Sequence, residues 1–372
     1  AEQSPGNKKE RLDWFLDIGF GLFIHWGVDS QIGSVISHSM VGASEDYLAR
    51  FVEELPKTFK PSRFDPDAWA RLAKVSGIRY LVFTTKHHSG FTMFETATTD
   101  FGVMNTPYAR DATAELVEAF REQGLAIGFY FSPDDFHFLY RQGTLISRRR
   151  PEAQPPNNPQ LMKHNQEQVR ELLFNYGAVD ILFFDGPAEG LLDLSWNLRP
   201  DIVVTRGAMK TPEIAPSTNQ QLPDLSDVEP WEACFTMGTS WQYKPTNEVY
   251  RTGSDWIKLL IETRAKGGNM LLNVGPTPEG EIPKDQEDIL REIGLWLFVN
   301  GEAIYGVRPW LRSNEGSIWF TRKRGTDTVF AFLDTDSWTF GERKDFILTG
   351  VAASPESAVS VLGQNDQVLE YQ

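Results

Sequence analysis

The chain has 372 residues, a formal charge of −15 and 41% hydrophobic residues, with 11 Trp and 25 Phe. It is too long for one small domain and ample for a large core, and its acidic balance excludes nucleic acid and anionic membrane surfaces as partners. A single cysteine, Cys234, excludes an internal disulfide and a Cys-based zinc site, and no apolar run of about 18 residues offers a membrane span.

In chain order, short apolar runs alternate with helical patterns. The polar start, Ala1-Glu2-Gln3-Ser4-Pro5, lacks the apolar region of a signal peptide and is compatible with a mature end left after signal removal. Strands are predicted over 21–26, 80–85, 125–131, 179–184, 202–205, 234–237 and 270–274. Helices are predicted between them. "DPDAWARLAKVSG" has Asp65 as N-cap, Pro66 in the first turn and Gly77 at the stop, and "DATAELVEAFREQG" ends likewise at Gly124. Further helices cover 158–177, 255–268 and roughly 284–299. Fully apolar strands alternating with helices mean parallel strands covered on their outer faces. The number of strands over about 310 residues favours a (β/α)₈-like, TIM-type barrel over an open doubly wound sheet, and no Gly-rich phosphate loop follows any strand. From about Trp310 the pattern turns to short β runs without helices. The expected organisation is therefore a barrel over 1–310 and a short C-terminal β-sandwich-like domain over 311–372.

In such a barrel the chemistry sits at the carboxyl ends of the strands. Polar groups recur there: His25 and Trp26 in "FIHWG", Lys86, His87 and His88 in "FTTKHHSGF", Tyr130 and Asp134 in "FYFSPDD", Asp185 in "LFFDG", and Arg206 in "VTRG". Glu229, Trp231 and Glu232 lead into the next strand, and Asn273 closes "LLNVGP". Each has a plain structural alternative, a cap, a turn or an ion pair, but recurrence on one face points to one pocket. No HxH or HExxH pattern supports a metal, and adjacent His87 and His88 on an extended segment are expected to diverge. No G-x-S-x-G marks a serine nucleophile. Carboxylates with neutral hydrogen-bonders and aromatics remain, the inventory of a glycoside hydrolase that needs no cofactor.

The stretches "WFLDIGFGLFIHWG", "FTTKHHSGFTMFET", "GFYFSPDD", "ILFFDG", "WEACFTMGTSWQY", "ETRAKGGNMLLNVGPTPEGEIP" and "GLWLFVNGEAIYG" resemble the retaining α-L-fucosidases of glycoside hydrolase family 29. The resemblance implies a (β/α)₈-like barrel with a C-terminal β-sandwich. It implies Asp185 as nucleophile, and His25, His87, His88, Tyr130 and Arg206 as fucose-binding residues. Phe183, with Phe91 or Phe94, is expected to line the side that meets the sugar's methyl group. For the acid/base, Glu232 is the first choice, Glu229 the second, and Glu45 in "GASEDYLARF" the third; a retaining enzyme requires that carboxyl about 5–5.5 Å from the nucleophile.

The implied reaction is release of terminal α-L-fucose from oligosaccharides or glycoconjugates. The alternatives are a glycosidase acting on a related 6-deoxy or galacto-configured sugar, or a non-catalytic fucose-binding protein. Degradative enzymes of this kind are commonly exported, so a periplasmic or extracellular setting is expected. In the basic, Pro-rich stretch "SRRRPEAQPPNNP", Arg148, Arg149 and Arg150, with Arg141 upstream, are read either as a solvated loop or as a contact to an anionic acceptor such as a sulfated fucan.

Overall fold

A computed structural model describes residues 5–33, 36, 39–206, 209, 222, 230–364 and 368–371. Seven strands form one sheet: β1 (Phe20–Ile24), β2 (Tyr80–Lys86), β3 (Ala126–Phe131), β4 (Ile181–Phe184), β5 (Val203–Val204), β6 (Glu232–Thr236) and β7 (Asn269–Val274). All neighbouring pairs are parallel, in the order β5-β4-β3-β2-β1-β7-β6. The sheet curls into a barrel-like wall whose end strands, β5 and β6, are not paired with each other among the described residues.

The helices are α1 (Lys9–Ile18), α2 (Glu45–Glu53), α3 (Leu55–Thr58), α4 (Pro66–Val75), α5 (Ala112–Glu122), α6 (Phe136–Gln142), α7 (Pro159–Asn175), α8 (Leu192–Leu198), α9 (Gly253–Ala265) and α10 (Lys284–Asn300). The expected caps are in place. The Asp65 carboxylate accepts from the Ala68 N–H and that of Asp111 from the Ala114 N–H, each satisfying an amide left free at a helix start. Thr252 and Asp255 form a reciprocal capping box on α9.

Period-2 alternation divides each strand between two cores. Phe23, Tyr80, Val82, Tyr130, Ile181, Phe183, Val203, Cys234 and Leu271 point inward and pack together. Leu22, Ile24, Leu81, Phe83, Leu182 and Phe184 point outward into the larger core shared with the helices. Gly21 faces inward where the Tyr80 ring crosses it, and a Cβ there would lie 2.3 Å from that ring. Helix α1 seals the lower, amino end of the sheet, with the Phe15 ring 5.5 Å from that of Tyr80.

The change of character expected after Trp310 falls inside β8 (Val307–Glu315), which begins three residues earlier. With β9 (Ile318–Lys323) and β10 (Val329–Phe332) it forms one antiparallel three-stranded sheet; a second sheet to complete a sandwich is not formed among the described residues.

Candidate active site

The pocket opens at the carboxyl end of the sheet and is lined by Phe23, His25, Tyr130, Phe183, Asp185, Arg206, Cys234 and Trp241. Asp185 directly follows β4 and is 7% exposed. Its Oδ2 accepts a 2.7 Å hydrogen bond from the Tyr130 hydroxyl and lies 3.4 Å from His88 Nε2. Its Oδ1 faces two guanidiniums, Arg206 at 3.4 Å and Arg148 at 3.5 Å. Burial alone would push this carboxyl up, but His88, Arg206 and His87 outweigh it and hold Asp185 well below the usual carboxylate range. The residue is thus an ionised carboxylate held in a fixed orientation. The next residue, Gly186, has φ +144°, and a Cβ there would stand 3.3 Å from Asp134 Oδ2, so the Asp-Gly turn after β4 suits glycine.

The imidazoles are held in distinct ways. His25 Nδ1 pairs with Asn273 Oδ1 at 2.6 Å, and burial lowers its pKa to about 4, leaving a neutral hydrogen-bonder at pH 7. His87 stacks on Tyr130, with centroids 5.0 Å apart and planes 8° apart, and burial followed by its two histidine neighbours drives it well below the usual imidazole value. His88 Nδ1 lies 2.5 Å from Ser132 Oγ and 3.6 Å from Asp134 Oδ2. The expected divergence of His87 and His88 is not observed. β2 ends at Lys86, so both rings lie beyond the pleat and turn toward the pocket, their centroids 4.3 Å apart.

His87, His88 and Asp185 bring ligand-type atoms within 4.8 Å of one another, the one such grouping found among the described residues. Asp185 already faces Arg148 and Arg206, and two guanidiniums repel a further cation, so this donor set suits an ionised carboxylate better than a metal centre.

Several sequence expectations are corrected. Trp26 turns outward into an aromatic cluster with Phe59, Phe64 and Trp69 and donates its indole N–H to the Thr277 carbonyl, because it is one residue out of phase with His25. Trp231 precedes β6 and donates to the Lys266 carbonyl, away from the pocket. Phe91 and Phe94 belong to the outer core. Lys86 is buried in an ion pair with Asp135 at 3.2 Å and a bond to Asn165 at 2.8 Å, tying β2 to the helical layer.

The largest correction concerns Glu232. It is the first residue of β6, in register with Asn269 at the start of β7, and its Oε2 accepts 2.6 Å from the hydroxyl of Tyr80, the first residue of β2. Asp185 instead receives Tyr130, which pairs with Thr84, four residues further along β2. Four residues are roughly 13 Å of strand. Glu232 therefore occupies the amino end of the sheet and cannot protonate a leaving group at Asp185. Glu229 lies outside the described residues. Glu45 is exposed in the first turn of α2, in the segment that follows β1.

Sequence reasoning missed two contributors. Trp241 stands 5.1 Å from His25 and 6.0 Å from Phe23, and it arrives on an irregular loop that carries no periodic signal. Arg148, expected in a solvated loop or against an anionic acceptor, instead brings its side chain to Asp185.

The α-L-fucosidase family profile matches residues 1–302. Plasma α-L-fucosidase of Rattus norvegicus is 30% identical, covering 94% of this chain and 82% of the rat protein. The structure of α-L-fucosidase isoenzyme 1 from Paenibacillus thiaminolyticus superimposes with a TM-score of 0.72 at 32% identity, over 85% of this chain and 82% of that one. Thermotoga maritima α-fucosidase in complex with a mechanism-based inhibitor gives 0.71 at 29% identity, over 88% and 85%. The chain belongs to the α-L-fucosidase family and is a glycoside hydrolase.

Proposed function

We propose that this enzyme releases terminal α-L-fucose with retention of configuration, by double displacement through Asp185. The observation that carries the reading is the Asp185 carboxylate itself: buried at the end of β4, held by Tyr130, and flanked by His88 and two guanidiniums. Asp185 attacks the anomeric carbon as the glycosidic oxygen leaves with a proton, giving a glycosyl-enzyme ester. Water then attacks the same carbon, loses its proton to the base and frees the Asp185 carboxylate. His25, His87 and Arg206 read ring hydroxyls, and Phe183 with Trp241 offers an apolar wall to the methyl group. A wall of this kind discriminates by roughly 1–3 kcal/mol. The fucosylated substrate is an oligosaccharide or glycoconjugate.

With Glu232 at the other end of the sheet, the acid/base is sought at the two remaining candidates, Glu45, in the segment that follows β1, and Glu229. Turnover of an aryl α-L-fucoside by Glu45→Ala and Glu229→Ala, with and without azide, tests this. The acid/base variant regains turnover with azide and yields a fucosyl azide. A protein that turns over no fucoside, and whose Asp185 is not esterified by 2-fluorofucosyl fluoride, would overturn the reading.

A further inference from the structure

Three consecutive arginines in the loop after α6 have different fates. Arg149 and Arg150 are exposed. Arg148 folds inward, its side chain 26% exposed, and its Nε donates 2.8 Å to Asp134 Oδ2 while a terminal nitrogen lies 3.5 Å from Asp185 Oδ1. The loop holds its own backbone: the Ser147 hydroxyl accepts from the N–H groups of Arg149 and Arg150, and the Gln154 amide donates to the Arg148 carbonyl. The guanidinium is therefore not needed to shape the loop.

Asp134 and Asp185 are both buried and share two partners. His88 lies between them, 3.6 Å from one and 3.4 Å from the other, and Arg148 spans them on the other side. The remaining charged and titratable groups around Asp185 are Tyr130 from β3, His87 after β2, His25 after β1 and Arg206 after β5. Without Arg148, two buried carboxylates would be left with one imidazole in common, and the Asp185 oxygen opposite Tyr130 would keep Arg206 alone.

We propose that Arg148 is a positioning residue: it binds the nucleophile to Asp134 and fixes the rotation of the Asp185 carboxylate, rather than meeting an anionic acceptor. The fork of a guanidinium suits this role because its nitrogens reach two carboxylates at once, which the single ammonium of lysine does not. This inference rests on Asp185 being the nucleophile. That premise is checked separately, by whether 2-fluorofucosyl fluoride adds its mass to the Asp185 peptide of the wild-type enzyme.

The test is the pH profile of kcat and kcat/KM for an uncharged aryl α-L-fucoside with wild type, Arg148→Met and Arg148→Lys, and with Arg149→Met and Arg150→Met as controls. Arg148→Met is expected to lose roughly 10–100-fold in kcat/KM, mostly in kcat, and to move the acid limb upward by roughly half a unit to one unit, because Asp185 loses a neighbouring cation. Arg148→Lys should restore the acid limb but only part of kcat. Added guanidinium should raise the rate of Arg148→Met, and the controls should match wild type. The proposal is overturned if Arg148→Met keeps wild-type kcat and acid limb on this substrate. It is also overturned if its loss appears only with sulfated substrates, or is matched by the controls. Should Arg148→Met fail to fold, Arg148→Lys with a wild-type profile in both kcat and acid limb overturns it equally.

Discussion

The two ends of the barrel each hold a tyrosine donating to a buried carboxylate, yet the carboxylates differ in charge. At the upper end Tyr130 meets Asp185 at 2.7 Å, and at the lower end Tyr80 meets Glu232 at 2.6 Å. Burial pushes both carboxyls up. Around Asp185, histidines and arginines reverse that push, whereas Glu232 has only the Tyr80 hydrogen bond against it and rises to about 7. The nearby cation at the lower end, Arg264, directs its guanidinium to the carbonyls of Leu16, Gly268 and Ile304 and to the Asn269 amide oxygen. One inward-facing tyrosine–carboxylate pair is thus kept ionised or pushed toward its protonated form according to where the neighbouring cations are directed.

Exchanging the charge at each end sharpens the contrast most. Asp185→Asn should cost on the order of 10⁴-fold or more in kcat, while Glu232→Gln should stay within about threefold of wild type. A steady-state assay decides, and an inactive, folded Glu232→Gln that azide rescues would erase the distinction between the ends.

Stability against pH gives the next effect. A carboxyl raised from 4.5 to about 7 in the folded state binds its proton more tightly there than in the unfolded chain. Its contribution is complete below about pH 4.5 and is lost as pH rises toward 7. The difference of about 2.5 units corresponds to roughly 3 kcal/mol at most. Glu232→Gln should flatten the fall in unfolding free energy between those pH values, read from urea melts, and an unchanged slope would show that Glu232 is ionised in the fold.

The smallest test removes the two hydroxyls. Tyr130→Phe should lower kcat/KM by roughly tenfold with little change in Tm. Tyr80→Phe should leave kinetics alone and lower stability by roughly 1 kcal/mol, since Glu232 Oε1 already lacks a partner and its Oε2 would lose one. Equal effects of both variants on activity would break the comparison.

The parallel sheet, the cap of α4, the glycine stop of α5 and the pocket-side placement of His25, His87, Tyr130 and Asp185 were legible in the sequence, because strand–helix alternation fixes which end of each strand faces the pocket. Phase was harder to read. His25 and Trp26 are neighbours just past β1, where the strand's alternation carries on for two residues and sends one into the pocket and the other into the outer core, whereas past β2 it does not. Glu232 was misjudged over polarity along the strand: starting the strand at Cys234 makes the glutamate a loop residue, whereas β6 begins at Glu232 itself, at the wrong end for catalysis. Trp241 and Arg148 come from irregular loops, where no periodicity announces which way a side chain turns.

Helix α1 has a consequence for how the chain comes to be folded. Besides sealing the barrel, its Asp13 and Asp17 pair with Arg308, and Asp17 also with Arg324, contacts that bridge about 300 positions of sequence. A segment made about 300 residues earlier on the ribosome therefore waits for its partner before its outer face is covered. Loops this long close late, so the exposed underside of the barrel is the surface a chaperone would meet during synthesis.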